Sequence, residues 1–466
     1  MRSVLVALVF FGVLALSSSL PTLAVASALP PVSVARGAAA PADGVPALAK
    51  GGKLWYPRGT NFIRLNQSIG GVPPQYPAEA AYHSTFSPGN LGSNLKRTPI
   101  ANGWNATAAD AALAAMHAEG YDIARVFLDV GGWTRDDGVG GEKAAQTLSD
   151  DYMSNLAAFV KLAAKHSVYV VPTLSGLPIG SSNGFSCSAP AKQFGYPNNL
   201  LLAKSCVKAK GKFAAAVISA LKSKLGGDLS AIAWLSIENE AAVSSGQAPF
   251  TLKSGTIAAA NGKSYDMGVD AQRAALAFEG GVFWASEVCA AAKMAAAGKL
   301  LCTSGMFSMQ GVHKDYKDYA KAMPPCEAPK DCRVPMIPEQ LQKATSVDLV
   351  DYHVYDVPMP TGQTWSRATD LASSNWASLA SKNSLPVIQG EFGAWKANPN
   401  LFASAELAAK AMVAQQVLSC KSRFRGFMLW TWDTWEQPRL WNARSDKGQI
   451  GAALSPKKRP DACKSE

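Results

Sequence analysis

The 466-residue sequence lacks most marks of a metal, nucleic-acid or membrane protein. It has only five histidines, far apart in the chain, and no Cys-x-x-Cys, so no metal centre of standard ligand spacing is expected. No long lysine or arginine run and no zinc-finger spacing occurs, which argues against nucleic acid despite a net charge of +11. A basic surface without a charged partner is the simpler reading of that charge; an anionic polysaccharide or cell envelope is the other. After residue 28 no stretch offers about 18 uncharged apolar residues, so no membrane span is expected. No Gly-x-Gly-x-x-Gly follows an early strand, as an open doubly wound sheet would favour. With 17% charged and 48% hydrophobic residues, the chain is neither disordered nor, with 39 glycines and 28 prolines, collagen-like.

What is present begins with a leader. Arg2, the apolar run Val4 to Leu16 and Ala26-Ser27-Ala28 read as a secretory signal over residues 1–28. The run is short for a membrane anchor and is followed by Ser17, Ser18 and Ser19. The mature protein is therefore expected to be soluble and exported, extracellular or periplasmic. Eight cysteines, an even count, then point to disulfides. Connectivity stays open, although Cys326 with Cys332 and Cys187 with Cys206 would close loops. Asn66-Gln-Ser68 and Asn105-Ala-Thr107 are N-glycosylation sequons in a suitable host.

Residues 29–50, rich in Ala, Pro, Gly and Val, read as a flexible lead-in, and 51–466 as one catalytic domain. Strand-like and helix-like segments alternate from residue 54. Strands are expected at 58–65, 121–128, 168–173, 231–237, 299–304, 347–353, 385–389 and 426–431. Helices are expected at 108–119, 150–166, 206–225, 272–297, 338–344, 367–381 and 404–422. Eight strands separated by helices, with no domain break, give an α/β class and a closed (β/α)8 TIM barrel. Three long connections, at 174–205, 241–270 and 306–337, each follow a strand and so fall on the C-terminal rim, where barrel active sites are built.

The chemistry lies where the strands end. The fourth runs into Glu238-Asn239-Glu240 and the seventh into Gly390-Glu391-Phe392-Gly393. A carboxylate ending an apolar strand costs desolvation energy unless it has a partner or a job. Strands four and seven face each other across a barrel mouth. Two carboxyls about 5–5.5 Å apart are what retaining glycoside hydrolysis requires. On these residues the chain resembles the family-5 (cellulase- and β-mannanase-like) glycoside hydrolases of clan A, over nearly all of 54–432.

The resemblance implies Glu240 as acid/base, preceded by Asn239, and Glu391 as nucleophile. It also implies Arg125 and Tyr355 as supports of the nucleophile, His353 beside the pair, and Trp430 under the sugar. Arg58-Gly-Thr-Asn61 resembles the opening motif of many members, and Trp430-Thr-Trp432 the Trp-x-Trp of mannan-cleaving ones. Two departures stand out: Ala241 replaces the usual Pro, and Glu238 competes with Glu240, sharing its face if the strand stays regular. The expectation is a secreted retaining endo-β-1,4-glycanase acting on mannan or glucan, a β-linked polysaccharide or oligosaccharide, without cofactor. Alternatives are an exo-acting β-glycosidase on oligosaccharide or glycolipid, and a non-catalytic carbohydrate-binding barrel. Trp133, Trp395, Trp432, Trp435 and Trp441 are candidates to stack further sugars or to cover the barrel's flank. Gly180-Ser-Ser182-Asn-Gly184 fits an esterase pattern, but no helix follows the serine as that motif requires.

Overall fold

The computed structural model describes residues 28–62, 84–86, 104–128, 148–178, 185–319, 321–327, 329–355, 357–358, 364–365, 384–396, 402–433 and 440–464. The leader, the Asn66 sequon, the serine-centred Gly180–Gly184 pattern, Trp133, Trp435 and the helix expected at 367–381 lie outside them.

Eight parallel strands form the centre: β1 (Arg58–Asn61), β2 (Ile123–Phe127), β3 (Tyr169–Thr173), β4 (Trp234–Ser236), β5 (Leu301–Thr303 and Gly305–Phe307), β6 (Val350–His353), β7 (Val387–Phe392) and β8 (Phe427–Leu429). The first piece of β5 pairs with β4 and the second with β6, so the break at Ser304 closes the ring β1 to β8. The barrel expected from the sequence is thus the fold found. Outside it lie α1 (Ala106–Ala118), α2 (Asp150–Lys165), α3 (Lys204–Lys224), α4 (Asp270–Ala295), α5 (Pro338–Lys343) and α6 (Ala405–Lys421). Short polar side chains start several of these helices by satisfying free amides: Asn105 accepts from Ala108 N, Ser149 from Tyr152 N and Ser404 from Leu407 N. Gly120, at φ +87°, ends α1 in the left-handed conformation that glycine adopts without steric cost.

Most of the strands are apolar on both faces in their lower part, because helices cover one face and the lumen cluster the other. On β2, Ile123 joins the lumen cluster with Tyr169, Val171, Trp234, Leu349, Ile388 and Met428, while Ala124 and Val126 face the helices. The two-residue period therefore turns Arg125 into the lumen, one layer above Ile123. Residues 32–50 depart from the flexible lead-in expected. Val32–Ala35, Ala47–Lys50 and Lys53–Trp55 form an antiparallel sheet that inserts Leu48 and Trp55 into the lumen cluster. The apolar surface of Ala47, Leu48 and Ala49 pins this segment by closing the bottom of the barrel.

The rim loops interlock. Ala242–Ser244, just after Glu240, pairs with Arg333–Pro335 from the third long loop, and Asn198 from the first donates to Ser244 O at 2.9 Å. Cys187–Cys206 and Cys326–Cys332 staple this rim, Cys289–Cys302 joins α4 to β5, and Cys420–Cys463 ties the C-terminal segment to α6. Arg58 also holds that segment, donating to Leu454 O at 2.6 Å and to Arg459 O. Among the described residues, α4 alone is long and apolar enough to cross a membrane. Its buried stripe of Leu276, Trp284, Val288 and Cys289 is nevertheless engaged by the barrel core.

Candidate active site

Three local features aim the acidic side chains. Leu349, just before β6, and Asp351 and His353 within it alternate with the outward Val350 and Tyr352, so Asp351 and His353 face the lumen in successive layers. On β7 the register against β6 slips: Ile388 pairs with Asp351, but Glu391, three residues on, pairs with His353, two residues on. This bulge adds one residue and reverses the alternation, so Glu391 points inward like Ile388 while Phe392 joins the outer core. Gly390 is obligatory at the bulge, because a Cβ there would lie 1.6 Å from Asp351 Oδ1. The third feature is the early end of β4 at Ser236.

That early end corrects the expectation that Glu238 and Glu240 share a face. Glu238 is bound to the flank: Lys210 of α3 pairs with its Oε2 at 2.9 Å, and Gly176 N donates to both carboxylate oxygens at 3.0 Å. Glu240 turns to the centre instead, where its Oε1 lies 3.1 Å from His353 Nδ1.

At the centre, Arg125 is fully buried and makes contacts in three directions. Its Nη1 donates to Glu391 Oε1 at 2.6 Å and to Asn61 Oδ1 at 2.8 Å, and its Nη2 to Asn239 Oδ1 at 2.8 Å. Tyr355 donates to Glu391 Oε2 at 2.7 Å. Burial raises the Tyr355 hydroxyl well above its usual range, with the Glu391 charge adding to it, so the phenol stays a donor. Because the acceptor oxygen of Asn239 is committed to Arg125, its side chain has N–H donors left to offer a ligand. Oxygens of Glu240 and Glu391 and a ring nitrogen of His353 all lie within 4.8 Å of one another. Glu391 is 4% exposed and Glu240 28%, so one carboxyl is enclosed and the other reaches solvent.

The three groups share protons as one cluster. Burial works against a charge on His353, yet Glu391, Asp351 and Glu240 outweigh it and lift the imidazole to about 9. Burial raises Glu391 above the ordinary carboxylate range, opposed by the charges of His353 and Arg125. Burial would raise Glu240 as well, but the hydrogen bond and charge of His353, with Arg333 and Arg125, bring it below that range. With no ligand bound, the proton therefore resides on His353, 3.1 Å from Glu240. The spacing of Glu240, His353 and Glu391 would also suit an ion. However, the Arg125 guanidinium already stands at Glu391, and a protonated His353 is a donor rather than a ligand.

Every residue expected to act together does meet here. Trp430 stands beside the centre, edge-on to Phe127 at 5.5 Å, and Trp395 lies 6.1 Å from Tyr355. The wider aromatic row is not one surface. Trp432 is buried against Tyr121 in the outer core, and Trp441 donates to Phe402 O at 2.8 Å. Sequence reasoning gave no role of their own to two residues at the centre, Asn61 and Asp351. Asn61 sits in the Arg-Gly-Thr-Asn motif and donates to Gly390 O at 2.9 Å. Asp351 lies two residues before His353, on the same inward alternation.

No family model and no curated protein matches the chain. Solved structures do. The endo-1,4-β-mannanase from Rhizomucor miehei superposes with a TM-score of 0.57 at 13% identity, over 90% of this chain and 98% of that one. The exo-β-1,4-mannosidase Op5Man5 from Opitutaceae bacterium strain TAV5 superposes with a TM-score of 0.52 at 15% identity, over 92% of this chain and 63% of that one. In fold, then, this chain is similar to an endo-1,4-β-mannanase and to an exo-β-1,4-mannosidase.

Proposed function

We propose that the protein is a retaining β-glycoside hydrolase related to family 5. The observation that carries this reading is the convergence of Glu240 and Glu391 oxygens within 4.8 Å, with Arg125 and Tyr355 both donating to Glu391. Such a spacing suits direct attack on the anomeric carbon and leaves too little room for the intervening water of an inverting enzyme. As a glycan enters and displaces water from Glu240, the proton held by His353 passes to Glu240. Glu240 then gives it to the departing glycosidic oxygen while Glu391 forms the bond to the anomeric carbon. Water, losing a proton to Glu240, cleaves that ester and frees Glu391. Donors from Asn239 are placed to bind a sugar hydroxyl, and Trp430 offers an apolar face for the ring.

The substrate class supported best is a β-1,4-linked mannan-type polysaccharide, from the likeness to the two mannan-directed barrels. Internal cleavage of it is our reading. The leader-like first 28 residues and the four disulfides support an exported enzyme.

A panel of mannan, cellulose, xylan and mixed-linkage glucan tests the substrate, with products sized over time. Mannan-derived oligosaccharides should appear first; release of monosaccharide alone from the start would favour the exo-acting alternative. Proton NMR of the fresh product should show the β-anomer before mutarotation, and an initial α-anomer would remove the double displacement. Binding without hydrolysis across the panel would leave a carbohydrate-binding barrel.

The pH dependence follows from the same cluster. Glu391 must be ionised, so activity should fall with acid below a midpoint higher than the ordinary carboxylate value of about 4.3. His353 must hold the proton destined for Glu240, so activity should be lost as pH rises through about 9. A kcat/KM profile from pH 4 to 10 checks both limbs, and an alkaline limb near 6.5, the free imidazole value of about 6.5, would remove His353 as the proton store.

A further inference from the structure

A third carboxylate lies beneath the pair. Asp351 is fully buried, with Oδ1 3.5 Å from His353 Nε2 and Oδ2 3.8 Å from Arg125 Nε. These four atoms are buried and none makes a close hydrogen bond, so each faces the others as an ion pair. The two cations turn their far sides to the glutamates: Arg125 Nη1 to Glu391 and His353 Nδ1 to Glu240 and Glu391. The space Asp351 occupies is the space that excludes a Cβ from Gly390, so the bulge that aims Glu391 is built around this side chain.

We propose that Asp351 is a positioning residue, a buried counter-ion that holds Arg125 and His353 from behind with their working faces toward Glu391 and Glu240, and keeps a proton in the cluster. The inference deepens the hydrolase reading of this site and rests on it. Two cations, Arg125 and His353, face three carboxylates, Glu240, Glu391 and Asp351. With all five charged, the catalytic proton being the one on His353, the enclosed set carries one excess negative charge, which holds that proton in the cluster. That is the proton general acid catalysis uses. The other titratable groups facing the set are the Tyr355 hydroxyl, donating to Glu391, and the charge of Arg333 beyond Glu240. Without Asp351 the cations and glutamates balance, and every proton in the set is more easily lost. His353 also loses the partner that fixes Nε2–H inward and so sets which nitrogen faces Glu240.

The test is Asp351→Asn, nearly isosteric beside Gly390, in the full chain. The alkaline limb of kcat/KM should move to lower pH by about one unit or more, as should the His353 titration followed by ¹⁵N NMR. At the optimum kcat should fall at least about ten-fold, the scale for removing a buried partner of a working histidine, with KM little changed. A folded variant with the His353 titration and the pH profile of the parent would overturn the proposal, even if its rate were lower. Should the variant not fold, the parent chain decides. His353 carrying both ring protons at pH 8 supports the counter-ion, and a neutral ring at pH 8 overturns it. The NMR arm needs no substrate, so a parent that hydrolyses nothing would defeat the hydrolase reading while Asp351 is still judged by His353.

Discussion

Replacing Glu391 with glutamine should reduce turnover by at least about 10⁴-fold, the range seen when a covalent nucleophile is removed. The amide keeps the size of the side chain, and its oxygen can still accept from Arg125 while its NH2 donates to the Tyr355 hydroxyl, but it cannot attack the anomeric carbon. The chain should remain folded. Arg125 would retain Asn61 Oδ1 and Asn239 Oδ1, both at 2.8 Å, and Asp351 at 3.8 Å. One of three crowded carboxylates would also have lost its charge, which relieves repulsion. Circular dichroism and a thermal melt establish the fold, and hydrolysis of the preferred glycan gives the rate. Glu391→Gly adds a positive signature. With azide supplied to an activated aryl β-glycoside, the small anion takes the vacated place, attacks the anomeric carbon and leaves an α-glycosyl azide. Full hydrolytic activity in Glu391→Gln would show that another group makes the covalent bond.

The barrel could be read from the sequence because most of its strands are short apolar runs set between longer helical stretches, and that alternation needs no contact to be seen. The pairing of Glu240 with Glu391 was readable for the same reason: both end strands that must lie across one mouth. What escaped depends on departures from regularity. Nothing in Val387-Ile-Gln-Gly-Glu391 announces an extra residue, yet without the bulge Glu391 would face the helices. The end of β4 at Ser236 separates Glu238 from Glu240, and it follows from Lys210, 28 residues earlier, drawing Glu238 to the flank. Residues 32–50 look featureless because three short strands give little periodicity, and their order comes from Leu48 and Trp55 filling the lumen. Asp351 reads as one more polar residue in a buried strand. A carboxylate at an inward position, two before a histidine at another, was the available signal, and it acquires meaning only when Arg125 arrives from β2.

The two carboxyls at the tip of β4 should separate cleanly under substitution. Glu240→Gln removes the group that protonates the leaving oxygen and then activates water, so hydrolysis of the natural glycan should fall by about 10²- to 10⁴-fold. An aryl glycoside with a nitrophenol leaving group needs no proton to depart, so its first step should be largely spared. The glycosyl-enzyme would then accumulate for want of a base, visible as a burst of nitrophenol equal to the enzyme. Glu238→Gln should do something different. Its carboxylate is the charge partner of Lys210, whose side chain is 2% exposed, and breaking a buried pair costs about 3–5 kcal/mol. The melting temperature should therefore drop by several degrees, while activity well below it stays within about ten-fold of the parent. Removing the stranded cation as well, in Lys210→Met with Glu238→Gln, should recover much of that stability, since the apolar replacement needs no counter-charge. A burst in Glu238→Gln, or its absence in Glu240→Gln with the aryl substrate, would exchange the roles of the two residues. The geometry opposes such an exchange: Glu238 accepts from Lys210 and from Gly176 N and is directed to the flank, whereas Glu240 lies beside His353 at the pair.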